Sequence, residues 1–579
     1  MKTVIQNVIY PGLSFTAPED MYLRGDYFLD KESQKITVIE GGYVSFDTYF
    51  NAISINTWKR DCGIEDLYFS VDGEGDCLVE LCHRLKDEQP QILMSFNIKL
   101  NGLKKYISVK DWVNIDDGFL YIQIKAITDC TLKKIDFATE TEGNSRTKLG
   151  LVITHYNRQK NVCMTISRIE DELLNLSNDS KIKLIIIDNS RNLNIKSKSS
   201  NVIIIPSKNL GGAGGFTRGL MYLKESSYTH CCFMDDDANC EVEAIRRTFI
   251  YFSYISKKNK QDVAVSGTLL HEEAPNIILE AGASFHRGRW IPTSHKLNVS
   301  SFDSLYNLEA ENLRSNYGAW CYFAFDIRYV KHYAYPFFVR GDDIFFGISN
   351  KFKVKTINGV CTWVDNFGLK DSPMTRYLAF RAVSIIPMLQ GDFSRFRFIK
   401  NFYKWHSDCL LKYNYASARA IEMAVSDIIN GPHVIEEDVG AIHLREKLKP
   451  LVDSEKLTYR KEEVVYQIPK KSLLKDVLRF ISIKGLLIPT FFYKNTIIQM
   501  KETNGRKREI FLSKGVFYYN RCSGFGYLAE YNKLECLKRI LNRTVLVMEI
   551  FKNYNEFSRS FYKSGEVFTS SNFWERHLF

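Results

Sequence analysis

Three consecutive aspartates, Asp235, Asp236 and Asp237, directly follow the apolar run from Cys231 to Met234. Alternate side chains of a strand share a side, so the first and third carboxylates point the same way at the strand end. Two carboxylates so placed repel unless a cation joins them. An all-oxygen pair suits Mg2+ or Mn2+, whose shells are commonly completed by substrate phosphates. The competing reading is an exposed acidic turn. About 25 residues earlier, SKNLGGAGGFTRGL sets Gly211, Gly212, Gly214 and Gly215 between an apolar strand and a helix. Glycine lets backbone approach a ligand closely, and a helix N-terminus favours anions. The spacing is neither a Walker loop nor G-x-G-x-x-G, and a bare glycine turn is the alternative.

His155, Asn157 and Arg158 close another apolar run, and Asp188 with Asn189 close the next. A carboxylate at a strand end accepts hydrogen bonds from a base or a ribose. Farther on, Glu280, Trp320 and the pair Asp342–Asp343 stand in aromatic, apolar surroundings. Unpaired carboxylates are expensive to bury, which points to the lining of a cleft. One of these acids has the chemistry of a general base for a hydroxyl, and Trp320 offers a flat face to a sugar. A helix-capping turn before Asn350 is the plain alternative.

The elements that must position these residues follow from periodicity. LGLVITHYNR, KLIIIDNS and NVIIIP are apolar runs alternating with helical stretches, the signature of an α/β unit with a parallel sheet covered on both faces. Ligands in such sheets sit beyond the carboxyl ends of the strands, where the motifs fall. Residues 1–145 read as a β-sandwich, with short alternating runs at Tyr43–Phe50, Asp66–Val71, Cys77–Cys82 and Ile92–Leu100. After about residue 372 strand signals fade, and Tyr377–Met388, Phe398–Tyr413 and Ala416–Ile429 carry helical amphipathic patterns. The expected organisation is therefore a β-sandwich at 1–145, an α/β domain at 146–385 and a mainly helical region at 386–579.

At 579 residues the chain exceeds one core. Its 13 cysteines form no C-x-x-C pair or zinc pattern, and the N-terminus lacks a charged-then-apolar leader, so the expectation is a reduced, cytoplasmic protein. No run reaches the ~18 apolar residues of a membrane span. The net charge of +11 carries no nucleic-acid reader motif. Lys470, Lys471, Lys475, Arg479, Lys484 and Lys501–Arg508 gather among aliphatic and aromatic residues, including Ser472–Tyr493, which suits an anionic membrane surface.

Taken in order, TYFNAISINTWKR (Thr48–Arg60), THYNR, NLGGAGGF, FMDDDA, EAGASF and RGDDIFFG resemble the polymerising galactofuranosyltransferases related to the mycobacterial cell-wall galactan enzyme, over roughly residues 40–385. The resemblance implies a GT-A domain, UDP-galactofuranose as donor, a growing, lipid-linked bacterial glycan as acceptor, inversion at the anomeric carbon, and work at the inner face of the cell membrane. It implies Asp343 as base, and Asp342, Glu280 and Trp320 as acceptor-positioning residues. Arg158, Asp188, Asn209, Gly211, Gly212 and Asp236 fall at nucleotide-sugar positions, with Mn2+ or Mg2+ on Asp235 and Asp237. Val364 stands where the family has a histidine ligand, and Asp365, one residue on, is the substitute considered. Another donor sugar on the same fold, or a non-catalytic carbohydrate-binding protein, are the alternative readings.

Overall fold

The computed structural model describes residues 2–13, 17–175, 181–195, 197–258, 260–311, 314–365, 371–460, 488, 491, 493–501, 507–520 and 523–579. The basic positions Lys470–Lys484 and most of Ser472–Tyr493 lie outside the described residues.

The first 140 residues form one hydrogen-bonded network of eleven strands. Its axis is the 17-residue strand Tyr68–Arg84, flanked on one edge by Phe119–Ala126 and Cys130–Thr139 in succession and on the other by Gln91–Asn101. The runs Asp66–Val71 and Cys77–Cys82, separate in the sequence reading, thus belong to a single strand. Gly73, Gly75 and Asp76 between them look like turn residues. In the structure Gly73 and Gly75 are places where the neighbouring strand's backbone comes too close for a side chain.

The centre of the chain builds a seven-stranded sheet. Its elements are β1 (Leu149–His155), α1 (Gln159–Ile169), β2 (Ile182–Asp188), β3 (Val202–Pro206), α2 (Gly211–Glu225), β4 (His230–Asp235), α3 (Val242–Ile255), β5 (Val263–Ser266), β6 (Phe323–Asp326), α4 (Asp342–Asn350) and β7 (Lys353–Lys355). The strand order is β3-β2-β1-β4-β6-β5-β7. Only β6 runs antiparallel to its neighbours. The ends of β1, β2, β3 and β4, at His155, Asp188, Pro206 and Asp235, therefore share one sheet edge.

The period-2 rule decides what covers each face. Leu151, Ile153, Leu184, Ile186, Cys232 and Met234 enter a core shared with α1, α3 and the N-terminal strands. Val152, Ile185, Ile187, Cys231 and Phe233 enter a second core shared with α2 and the C-terminal helices. Each fully buried Ile or Val contributes about 1.5–3 kcal/mol. The N-terminal region is further tied to α3 by polar contacts. Glu243 accepts from Asn7 N and Nδ2 at 2.9 and 2.7 Å, the Tyr22 hydroxyl donates to Glu241, and buried Arg247 donates to the Phe50 and Asn358 carbonyls.

The helical third includes α5 (Pro373–Leu389), α6 (Arg395–Leu410), α7 (Tyr415–Asn430), the 36-residue α8 (Lys533–Phe568) and α9 (Ser571–Leu578), with the shorter helices His433–Glu437, Ile442–Ser454 and Lys507–Ile510 among the described residues between α7 and α8. Ser372 and Thr375 close a capping box on α5. Glu422 of α7 accepts from Arg539 of α8 at 2.6 Å and lies 2.9 Å from His406 of α6, satisfying a charge that would be costly to bury alone. The expectation that strands end near residue 372 needs correction. Tyr459–Arg460, Lys494–Lys501, Ser513–Tyr519 and Phe525–Glu530 form a four-stranded sheet, in keeping with β-branched and aromatic runs such as GVFYY.

Candidate functional site

Asp235 ends β4 beside the Cys321 thiol, whose sulfur lies 3.4 Å from Oδ2. Burial and the charges of Asp235 and Asp237 push that thiol well above its ordinary pKa, so both carboxylates face one spot. Arg158 Nη1 pairs with Asp236 Oδ1 at 2.8 Å and Asp237 Oδ2 at 2.6 Å, while the Tyr156 N–H donates to Asp236 Oδ2 at 3.1 Å. The loop after β1 is thereby pinned to the acidic turn after β4. Asp188 is buried and accepts from the Ser190 and Leu193 N–H groups at 3.0 and 2.9 Å. It shapes the loop after β2.

The glycine run divides in two. Gly211 has φ +70°, and a Cβ there would overlap the Phe338 carbonyl. The Asn209 side chain accepts from Gly211 N at 3.1 Å, and Ala213 N donates to the Phe338 carbonyl at 3.2 Å. A Cβ on Gly212 would stand 3.1 Å from the Asp342 carboxylate. The start of α2 thus abuts the Asp342 turn. Gly214 and Gly215 do different work: a Cβ on Gly214 would strike Leu210, and one on Gly215 would strike Thr154 of β1. They serve close packing of α2 against its own first turn and against β1.

Asp342 and Asp343 open α4 after a turn in which Phe338, Arg340 and Gly341 have φ of +72°, +70° and +97°. Two bulky left-handed residues store strain that the surroundings must hold. Burial, then the charges of Asp343 and Asp235, push Asp342 well above the usual carboxylate range. Burial also raises Asp343, opposed by the Ile344 N–H, the Arg340 charge and the Gly341 N–H. Glu280, buried, is pushed up to about 8 by burial and then by the Asp343 charge, with a hydrogen bond from Trp290 opposing. A carboxyl so raised favours its protonated form near neutral pH.

Trp320 does not present an open face. It is buried and packs edge-to-face against Phe216, Phe233 and Phe346 at centroid distances of 5.0, 5.0 and 5.5 Å. The exposed indole is Trp290 (51 % exposed) on the hairpin Ala283–His286/Arg289–Pro292. Its indole lies close enough to Glu280 and Tyr317 to oppose the rise in both their pKa values. Trp290, Tyr317 and Cys321 went unnoticed in the sequence. Only the proximity of RGRWIP to Glu280 hinted at the first.

Among the described residues, no three or more His, Cys, Asp or Glu side chains group into a metal-binding set. Asp235, Asp237 and Asp365 do not form such a triad, and Asp365 is exposed. Val364 is buried in an apolar cluster with Ala238, Leu269 and Cys321, so it reaches the neighbourhood of Asp235 without a donor atom. The two carboxylates beside Cys321 still fit Mg2+ or Mn2+, which often use one or two protein carboxylates together with water and phosphate.

Residues 26–140 match the family model "Galactofuranosyltransferase 2 N-terminal". Two similar proteins are the galactofuranosyltransferases GlfT2 of Mycobacterium tuberculosis and Mycolicibacterium smegmatis. The first is 21% identical over 449 residues, 70% of this chain and 69% of that protein. The second is 21% identical over 423 residues, 67% of this chain and 64% of that protein. Among solved structures, a family 29 carbohydrate binding module from Piromyces equi covers 24% of this chain at 11% identity with a TM-score of 0.15. A glycosylation-associated complex from Streptococcus agalactiae covers 44% at 12% identity with a TM-score of 0.16. Scores this low do not bear on the fold of the chain. The sequence relationship, spanning both the N-terminal strands and the acidic motifs, makes the chain similar to the GlfT2 galactofuranosyltransferases.

Proposed function

We propose that the chain is an inverting GT-A glycosyltransferase that moves galactofuranose from UDP-galactofuranose to a hydroxyl of a growing, lipid-linked bacterial glycan. Two things support the GT-A reading: the strand order β3-β2-β1-β4-β6-β5-β7 and a D-x-D at the end of β4. The observation that carries the reaction is the meeting of two acidic groups at one sheet edge. Asp342 abuts the start of α2 at Gly212 and feels the charge of Asp235. A donor diphosphate near Gly211, Gly212 and Asp235–Asp237 would then face an acceptor near Asp343, Glu280 and Trp290.

Asp343 takes the proton of the acceptor hydroxyl as it attacks from the face opposite the diphosphate. The raised pKa of Asp343 brings its basicity nearer to that of the proton it must accept. Protonated Glu280 adds no second negative charge beside the base. Arg158, released from Asp237, is available to the diphosphate. A Mg2+ or Mn2+ ion on Asp235 and Asp237 would supply Lewis-acid neutralisation of the leaving group. Asp343→Asn is expected to lower transfer, read as UDP release with product mass, by at least ~100-fold. Near-full transfer by that variant would remove Asp343 from the role, and turnover with UDP-galactopyranose alone would discard galactofuranose.

The proposal places this work at an anionic membrane surface. No helix among the described residues is long and apolar enough to cross a membrane. Along α8, however, Leu534, Leu537, Leu541, Val545, Met548 and Phe551 are exposed in a row of roughly 25 Å. Phe396 of α6 packs on Phe551, and exposed Lys400, Lys404, Lys538 and Lys552 rim the row. Apolar side chains bordered by lysines complement an anionic lipid interface.

A further inference from the structure

We propose that Trp574, on the last helix of the chain, is a positioning residue for the acid pair Asp342–Asp343. The inference rests on the reading of Asp343 as base. It starts from the strain in the turn that carries the pair. Phe338, Arg340 and Gly341 are all left-handed, and such a turn keeps its shape only if the chain on either side of it is clamped.

The clamps come from three parts of the fold. After the pair, α4 is fixed at Asn350, whose side chain accepts from Lys331 N and His332 N at 2.8 and 3.0 Å. Immediately before it, Arg381 of α5 donates to the Phe337 carbonyl at 2.8 Å and Ala213 of α2 donates to that of Phe338. The four residues His332–Tyr335 are held by the C-terminus. The His332 ring lies 3.2 Å from the Thr569 hydroxyl, Tyr333 N donates to the Thr569 carbonyl at 2.9 Å, and Trp574 Nε1 donates to the Ala334 carbonyl at 2.8 Å. The Tyr335 and Ser564 hydroxyls lie 2.9 Å apart, and the Tyr335 ring packs on Phe568. Trp574 is fully buried, so this is a built contact.

The same segment reaches the donor side. Lys208, just ahead of the glycine run, donates to the His577 carbonyl at 3.1 Å, and Arg218 of α2 lies over the Phe579 ring at 4.3 Å. Residues 564–579 therefore join the base of α2 to the lead-in of the acid pair. They set the distance between the start of α2 and Asp343 without touching either substrate.

The test uses the full chain. Trp574→Phe keeps the ring bulk and removes the indole donor, and Tyr335→Phe removes one hydroxyl and serves if the first variant fails to fold. Displacements of an ångström in a catalytic group cost up to ~100-fold, so kcat is expected to fall about 10- to 100-fold. UDP affinity by calorimetry should stay within about two-fold, because the donor loop keeps its own contacts. In an Asp343→Asn background the same substitution should produce no further loss, since its effect passes through that carboxylate. Full kcat in both variants, or a loss that simply adds to that of Asp343→Asn, overturns the proposal. Near-full transfer by Asp343→Asn alone would instead fault the assignment of the base.

Discussion

Glu280→Gln tests the raised carboxyl beside Asp343 through stability alone. In the wild-type fold the carboxyl is pushed up from 4.5 to about 8, whereas in the unfolded chain it ionises near its ordinary value. Below about 4.5 both states are protonated and the group contributes its full share of stability. As pH rises through the window from about 4.5 to about 8, the unfolded chain loses its proton and the folded chain keeps it, so stability falls until the folded carboxyl ionises too. The window is roughly 3.5 units, and at about 1.4 kcal/mol per unit the loss is on the order of 5 kcal/mol. Glutamine has nearly the same shape and no proton to lose. Urea unfolding followed by tryptophan fluorescence at pH 5.5, 7 and 8.5 should show the variant gaining on wild type by a few kcal/mol across the series. Adding Asp343→Asn should shrink the gain, because the Asp343 charge is the second cause of the shift. Parallel stability profiles for wild type and Glu280→Gln would show that the carboxyl is already ionised in the fold and would refute the argument.

The membrane and metal proposals each yield a measurement. Leu541→Glu with Met548→Glu puts two charges in the exposed row of α8 and should abolish co-sedimentation with phosphatidylglycerol vesicles while leaving turnover on a soluble acceptor intact. Unchanged co-sedimentation removes that surface from the proposal. For the metal, UDP should bind more tightly with Mn2+ than in EDTA, and Val364→His, which sets an imidazole near Cys321 and Ala238, should enlarge that difference by about ten-fold, the lower end of what a supporting ligand is worth. Equal binding in Mn2+ and EDTA by calorimetry counts against a metal on Asp235 and Asp237.

The parallel strands were legible because residues buried on both faces leave unbroken apolar runs. KLIIID became β2 and LGLVITH became β1, as their texture requires. Helices α5, α6 and α7 fell where the amphipathic patterns put them, within a few residues. What sequence could not decide was which surroundings each of two chemically identical residues meets. Gly211 and Gly215 stand in one short motif, yet the first answers to the Phe338 carbonyl and the second to Thr154, a difference set by strands and turns distant in sequence. Trp320 and Trp290 divide in the same way. An indole among Ala, Cys and Phe becomes core, and one on a hairpin among Arg and Pro stays exposed. The four-stranded sheet at the C-terminus was missed because the helical stretches before it set the expectation.

The positions of the clamps explain why the acid pair belongs to the chain as a whole and not to the central sheet alone. The Phe337 carbonyl is held by Arg381, that of Phe338 by Ala213, and that of Ala334 by Trp574. The covering of the sheet's other face by α3 depends on Glu243, Arg247 and their partners Asn7 and Phe50 in the N-terminal region. Cutting at either boundary would leave buried carbonyls and a buried guanidinium without partners, each costing about 1–3 kcal/mol or more. It would also release a turn that holds two bulky residues at positive φ. Asp343 is therefore placed by residues on both sides of it in sequence, from position 213 to position 574, and the strain of its turn is balanced only when they are all present.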